Sequence, residues 1–171
     1  MTSAVPRTAQ DKRDPSRKAD AGSAARAAEL RAANINPRTG LATDYLNHFN
    51  EAIMLLEMIP DMPDCAADFL TWQPLSYREH FAASNFRARE LAIAAYDLAD
   101  PAIRGEFDSI TAAMTSILTA VGTAMREARK DRTRATLAAQ AASWVKPLVA
   151  LAGGIINGRG AEADVDYIMT H

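Results

Sequence analysis

Histidines are the residues of this 171-residue chain best suited to chemistry, and there are three of them: His48, His80 and His171. Imidazole can bind metal or haem, and it exchanges protons near neutral pH. Di-iron helical bundles carry Glu-x-x-His on two helices, and that pattern occurs nowhere in the sequence. The nearest arrangement is Asp44, His48 and Glu51, one helical turn apart from each other. These positions lie outside the core-facing sector of their predicted helix, whereas ligands in bundles project inward. We therefore predict neither a metal site nor a cofactor.

An alternative stays open for the same region. If His48 and His80 converged between adjacent helices, then His48, Glu51 and His80 could bind a small ligand, a haem or a metal. No Cys-x-x-Cys-His motif for covalent haem attachment accompanies them.

Nucleophilic and phosphate chemistry find little support in the sequence. Cys65 is the only cysteine, and it lies between Asp64 and Asp68, whose negative charges disfavour the reactive thiolate. The glycine-rich stretch 153–160 lacks the Lys-Ser/Thr of a phosphate-binding loop. No catalytic residues are predicted, and the chain is interpreted as a non-enzyme.

Composition and charge exclude several classes of protein. The formal net charge is -2, which argues against a basic nucleic-acid binder, and no apolar run approaches the roughly 18 residues of a transmembrane helix. Residues 1–40 carry a net charge of +4, whereas residues 41–130 carry -6. The 36 alanines, and 15 arginines against 4 lysines, are typical of a GC-rich bacterial genome. A cytoplasmic bacterial protein is the simplest prediction.

The N-terminal part is predicted to differ from the rest. Residues 1–40 read as a mostly disordered basic tail, because residues 1–20 are polar and carry mixed charge. A short helix is possible over residues 21–33, where alanine is abundant but an apolar face is missing. The folded domain is predicted to span residues 41–171. Its first helix begins at Thr43, as N-cap, and ends before Pro60.

Three longer helices complete the predicted domain. A capping box of Ser76 and Glu79 opens a helix expected to run without a break to Leu98. Its predicted face toward the core consists of Tyr77, Phe81, Ser84, Ala88, Leu91, Ala95 and Leu98. Asp100 and Pro101 open the next helix. Its predicted apolar face has heptad spacing and consists of Ile103, Phe107, Ile110, Met114, Ile117, Val121, Ala124 and Ala128. The last covers residues 133–152, is kinked or shortened by Pro147, and ends at Gly153 and Gly154. The large apolar residues of that last helix are expected to face the core: Leu137, Trp144, Val145, Leu148 and Leu151.

These elements predict an all-α protein, specifically an antiparallel four-helix bundle with short accessory helices over residues 65–72 and 163–169. Apolar or mixed acidic–apolar side chains on the backs of the first two helices predict an interface with a partner. Its residues are Met54, Leu55, Met58, Phe86, Glu90 and Ile93. The leading functional hypothesis is a regulatory or adaptor protein that works through protein–protein contacts, as a homodimer. A further alternative is an amphipathic protein on the surface of a lipid or polymer granule.

Overall fold

The computed structural model describes residues 14–159, and over that range the protein is built from helices, with no β-strand. A 3-10 helix, Thr43–Tyr45, leads into α2, so Thr43 does not cap α2 as predicted. The helices are α1 (Pro15–Ala32), α2 (Leu46–Met58), α3 (Cys65–Thr71), α4 (Tyr77–Ala83), α5 (Arg89–Leu98), α6 (Pro101–Glu127) and α7 (Asp131–Ile156). The short helix expected over residues 65–72 is α3, and the one expected over residues 163–169 lies outside the described residues.

α1 begins within the segment for which the sequence predicted disorder. Asp14 accepts a hydrogen bond from the Ser16 backbone at 3.0 Å, and Pro15 occupies the first helical position. This start signal is the same one that opens α6, where Asp100 accepts from Ala102. Leu30 is the single buried residue of α1, so most of this helix lies on the surface.

The segment between α1 and α2 packs into the core, although it falls mostly within the predicted tail. Ile35, Leu41 and Ala42 are buried, and the Thr39 hydroxyl donates to the Ile156 carbonyl at 2.7 Å. Gly40 has φ +71°, and a Cβ at this position would lie 2.8 Å from the Ala95 carbonyl oxygen. The close approach of this segment to α5 therefore requires glycine.

Aromatic rings fill the core where α2, α4, α5 and α6 meet. Tyr77 stacks on Tyr96 with ring centroids 4.5 Å apart, and its hydroxyl accepts a hydrogen bond from the Ala42 backbone at 3.0 Å. The Tyr45 hydroxyl donates to the Leu75 carbonyl at 2.6 Å. These hydrogen bonds offset the cost of removing the two tyrosine hydroxyls from water. The remaining rings of this aromatic cluster are Phe49, Phe81 and Phe107, which are fully buried.

The single helix predicted from the capping box to Leu98 is wrong, because it is divided into α4 and α5. The capping box itself is confirmed, since Ser76 and Glu79 exchange both of its hydrogen bonds. Ser84 ends α4 with an extended backbone, and its hydroxyl donates to the Phe81 carbonyl and accepts from the Phe86 backbone. Such local bonding by serine competes with helix continuation. Leu98, placed on the predicted apolar face, is 79% exposed.

The apolar face of α6 is rotated relative to the prediction. Phe107, Met114 and Val121 are buried as expected. The positions that share burial with them are Thr111, Leu118 and Met125, whereas the predicted Ile103, Ile110, Ile117, Ala124 and Ala128 are only partly buried.

The predicted inward face of α7 is confirmed for Val145, which is buried, and is wrong for Trp144 and Leu151. The helix runs from Asp131 through Pro147 and the glycine pair to Ile156. Its buried positions are small or β-branched: Ala138, Ala141, Ala142, Val145, Ala152, Ile155 and Ile156. Trp144 and Leu151 are about half exposed, at 52% and 51%, while Leu137 and Leu148 are partly buried. Alanines lie inside because they let α7 approach α6 and α2 closely.

α7 is also long and apolar enough, by length and composition alone, to cross a membrane. A third of its most apolar stretch is buried against the rest of the protein. The core helix of a soluble protein meets the same criteria, so composition does not distinguish the two.

Candidate functional sites

The structure brings His48 and His80 together, as the ligand-binding alternative requires. Their ring centroids are 6.1 Å apart, with His48 on α2 and His80 on α4. His80 Nε2 lies 3.0 Å from a carboxylate oxygen of Asp44. Glu51 is exposed one turn after His48. The capping box positions this pair, since it fixes the start of the short helix that carries His80.

His48 occupies an aromatic environment. Its ring stacks on Trp72 with centroids 4.6 Å apart, and the Trp72 indole donates to the His48 carbonyl at 3.0 Å. Its Nε2 is buried and has no hydrogen-bond partner within residues 14–159. Burial lowers the pKa of His48, and the nearby His80 adds to that effect, whereas the Gln73 backbone and Glu51 oppose it. The neutral imidazole is therefore favoured.

The other residues proposed for chemistry are not assembled into a metal centre. In the part of the chain that the structure describes, no group of three His, Cys, Asp or Glu side chains is placed to hold a metal ion. Cys65 is a free thiol and is buried.

The predicted interface on α2 and α5 is divided between surface and core. Met54 is 54% exposed, and Glu90 is exposed. The other four residues pack partly buried against the core: Leu55, Met58, Phe86 and Ile93. An ion pair between Glu57 and Lys146 joins α2 to α7 beside Met54. Of the five apolar side chains of this predicted interface, Met54 is the one that is exposed.

A more continuous uncharged surface lies on α6 and α7. No charged residue occurs between Asp108 and Arg126. In that stretch every exposed residue is serine, threonine or alanine: Ser109, Ala112, Ala113, Ser116, Thr119, Ala120 and Thr123. An open groove of about 340 Å³, the α6–α7 groove, is lined by Ser116, Ile117, Ala120, Val121, Ala124 and Trp144. Solvent-facing sides of helices usually carry charges, so this surface is unusual.

A polar cleft lies near the histidine pair. It has a volume of about 620 Å³ and includes Arg31, Asp44 and Phe86. It also contains five of the six asparagines in the sequence: Asn34, Asn36, Asn47, Asn50 and Asn157. We call it the asparagine cleft. It is formed by the end of α1, the following segment, the first half of α2 and the end of α7.

Sequence reasoning missed both the α6–α7 groove and the asparagine cleft. The signal for the groove was the uncharged run from Ser109 to Met125. The signal for the cleft was the presence of four asparagines within residues 34–50. The fifth, Asn157, joins them only through tertiary structure.

Comparison with known proteins gives no family assignment: no family model, no curated protein and no solved structure matches the chain.

Proposed function

We propose that the protein is a non-enzymatic helical protein that acts through protein–protein contacts and self-associates. The observation that carries this proposal is the α6–α7 groove, with the half-exposed Trp144 at its edge. Tryptophan is among the side chains that contribute most at protein interfaces, because it buries a large area with few rotatable bonds. Small residues along α6 would let a partner helix approach closely. The interface is thus moved from the predicted α2–α5 face to α6 and α7.

A second copy of this chain is the partner that the groove fits best. A surface without charges cannot select a partner by opposite charge. It complements another uncharged, small-residue surface, and its own copy offers one at equal concentration. A two-fold axis beside α6 would place each Trp144 against the Ser116–Ala120 surface of the other copy, as an isologous dimer requires.

The finer architecture belongs to the same proposal. We infer an antiparallel four-helix bundle from α2, the α4–α5 pair, α6 and α7. Leu46 lies 3.8 Å from the Cβ position of Gly153, while Glu57 pairs with Lys146. These contacts support opposite directions for α2 and α7. A bacterial cytoplasmic location is also retained, since the buried free Cys65 suits a reducing compartment.

Sedimentation of the Trp144→Arg variant tests the proposal. We expect the wild-type protein to sediment as a dimer and the variant to dissociate at least about tenfold more readily, because an unpaired charge would be buried. Leu98→Arg is the matched control, since Leu98 is 79% exposed and lies away from the groove. It should leave the dimer intact.

Two results would contradict self-association through the groove. One is a wild-type protein that stays monomeric, and the other is a Trp144→Arg dimer as stable as the wild type. Flotation of the protein with phosphatidylcholine vesicles, lost in Trp144→Arg, would instead favour the granule- or lipid-surface alternative.

The second candidate is a small-ligand site at the histidine pair. The buried, unpartnered Nε2 of His48, with His80 6.1 Å away, favours it. Titration with hemin and with Zn²⁺ tests this candidate, and binding should disappear in His48→Gln and weaken in Glu51→Gln. Wild-type protein that binds neither probe would rule out the haem and metal forms of this candidate.

A further inference from the structure

The asparagine cleft contains more asparagines than the backbone conformations of its segments require. Three of its asparagines have structural roles. Asn34 adopts the left-handed conformation with φ 59°, Asn36 accepts hydrogen bonds from the Arg38 and Thr39 backbones, and Asn157 caps α7. Asparagine suits the first two positions, whereas Asn157 caps α7 through its backbone N–H. No such role accounts for Asn47 and Asn50, which lie three residues apart on α2 and are exposed.

Much of the amide capacity of the cleft is uncommitted within the described part of the chain. The side-chain amide of Asn47 donates a hydrogen bond to the Asp44 carboxylate at 3.4 Å. The side-chain oxygen of Asn36 accepts a hydrogen bond from the Arg38 backbone. The side chains of Asn34, Asn50 and Asn157 make no hydrogen bond to any residue between 14 and 159. Each free carboxamide offers two donors and one acceptor to a ligand.

Two opposite charges accompany these amides. Arg31 brings a guanidinium group and Asp44 a carboxylate, and they are the charged side chains of the lining. A guanidinium binds carboxylates with two parallel hydrogen bonds. A carboxylate binds an ammonium group. A ligand that uses both must itself be zwitterionic.

The residues that line the cleft therefore indicate which class of ligand it binds. A carboxamide pairs best with another amide, since each supplies the donor that the other accepts. The volume of about 620 Å³ lies in the range of small-molecule sites, about 300–1,000 Å³, and is spacious for a single amino acid. Phe86, which is partly buried, gives the cleft an apolar contact for short side chains.

We propose that the asparagine cleft binds a short peptide with free termini, whose carboxylate contacts Arg31, whose ammonium group contacts Asp44, and whose peptide amides contact Asn47 and Asn50. This site is separate from the α6–α7 groove, so it stands whether or not the protein dimerises.

Triglycine is the probe, and side-chain amide signals in a ¹⁵N-correlated NMR spectrum are the readout. The chain has six asparagines and three glutamines, so each amide pair can be assigned from single Asn→Ala variants. Triglycine should shift the side-chain amide signals of Asn47 and Asn50 and leave those of Asn85 unchanged. Asn85 is the one asparagine outside the cleft lining.

Modified peptides test the two charged contacts. N-acetyl-triglycine and triglycine amide should each bind at least about tenfold more weakly than triglycine, the loss expected for one charge-assisted contact. Arg31→Gln should weaken triglycine while leaving the affinity for triglycine amide unchanged. Asp44→Asn should weaken the binding of triglycine while leaving the affinity for N-acetyl-triglycine unchanged. Asn50→Ala should weaken all three peptides, and Asn85→Ala none of them.

Three outcomes would overturn the proposal. The first is the absence of shifts at triglycine concentrations up to about 10 mM, beyond the range of weak complexes. The second is equal affinity for the free and the blocked peptides. The third is stronger binding of maltotriose, which would assign the cleft to uncharged hydroxyl ligands. Arg31, Asn50 and Asn85 are exposed, whereas Asp44 is partly buried and bound to His80. Melting curves that match the wild type will show for each variant that the fold is intact.

Discussion

The two ends of the core are packed in opposite ways. Around α4 and the start of α2, large aromatic rings meet each other, and Phe49, Phe81 and Phe107 are fully buried. Where α7 packs, four of its seven buried residues are alanines, whereas α6 buries Met114, Leu118 and Met125. Trp144 of α7 stays half exposed. The first region gains apolar area from large side chains, and the second from the close approach of two backbones. Side-chain size alone therefore does not tell which face of a helix is buried.

Removing a ring from the aromatic end should have the largest effect on stability. Phe107→Ala leaves a cavity beside Tyr45 and Tyr77, whose ring centroids lie 6.1 and 6.0 Å away. We expect the free energy of unfolding to fall by about 3–5 kcal/mol, measured by urea denaturation. Leu98→Ala, at an exposed site, should change it by less than about 0.5 kcal/mol. A loss near that of the control would show that the aromatic end does not determine stability.

Enlarging a buried alanine should have a smaller effect, and it tests the other end of the comparison. Ala141→Leu places three additional carbons where α7 packs, and Ala141 is fully buried. We expect a loss of about 1–3 kcal/mol in the free energy of unfolding. Ala139→Leu, on the exposed side of the same helix, is the matched control and should be nearly neutral. Equal results for the two variants would mean that α7 does not require small residues.

The smallest effect is a dependence of stability on pH at the boundary of the aromatic end. Burial lowers the pKa of folded His48 below its usual 6.5. Protonation then favours the unfolded chain, so stability should fall as pH drops below about 6.5 and level off once folded His48 is protonated. The charged groups facing His48 are His80, Glu51 and, through His80, Asp44.

His48→Gln isolates this contribution. Urea midpoints measured from pH 5 to pH 8 should show a shallower slope in the variant than in the wild type. His80→Gln is the comparison, because it removes the neighbouring charge and leaves the burial of His48 in place. An unchanged slope in His48→Gln would assign the pH dependence to other groups.

Features fixed by short-range chemistry could be predicted from the sequence. The Ser76–Glu79 capping box and the Asp100–Pro101 start are as expected, because each depends on residues within one turn. The all-helical class follows from the abundance of alanine. The start of α1 at Asp14 and Pro15 has the same Asp-Pro pattern. The polar composition around it nevertheless led to a prediction of disorder.

Features that depend on neighbouring helices could not be predicted. Helical periodicity does not tell which of two neighbouring stripes of residues is buried. The predicted buried face of α6 is therefore rotated, and the burial predicted for Trp144 and Leu151 of α7 is wrong. The break at Ser84 was hidden because Tyr77, Phe81 and Leu91 keep helical spacing across it. The asparagine cleft could not be predicted for the same reason, because Asn157 is distant in sequence from its other asparagines.

That distance in sequence has a consequence for the order of folding. The cleft combines Arg31 and Asn50 with Asn157, and the Thr39 hydroxyl holds the Ile156 carbonyl across 117 positions of the chain. A contact between such distant residues forms late, because it requires closure of a long loop. All of α7 and the following Asn157 must leave the ribosome before the proposed binding site can form. Only the completely folded chain would therefore bind the peptide, and a partly synthesised chain would not bind it.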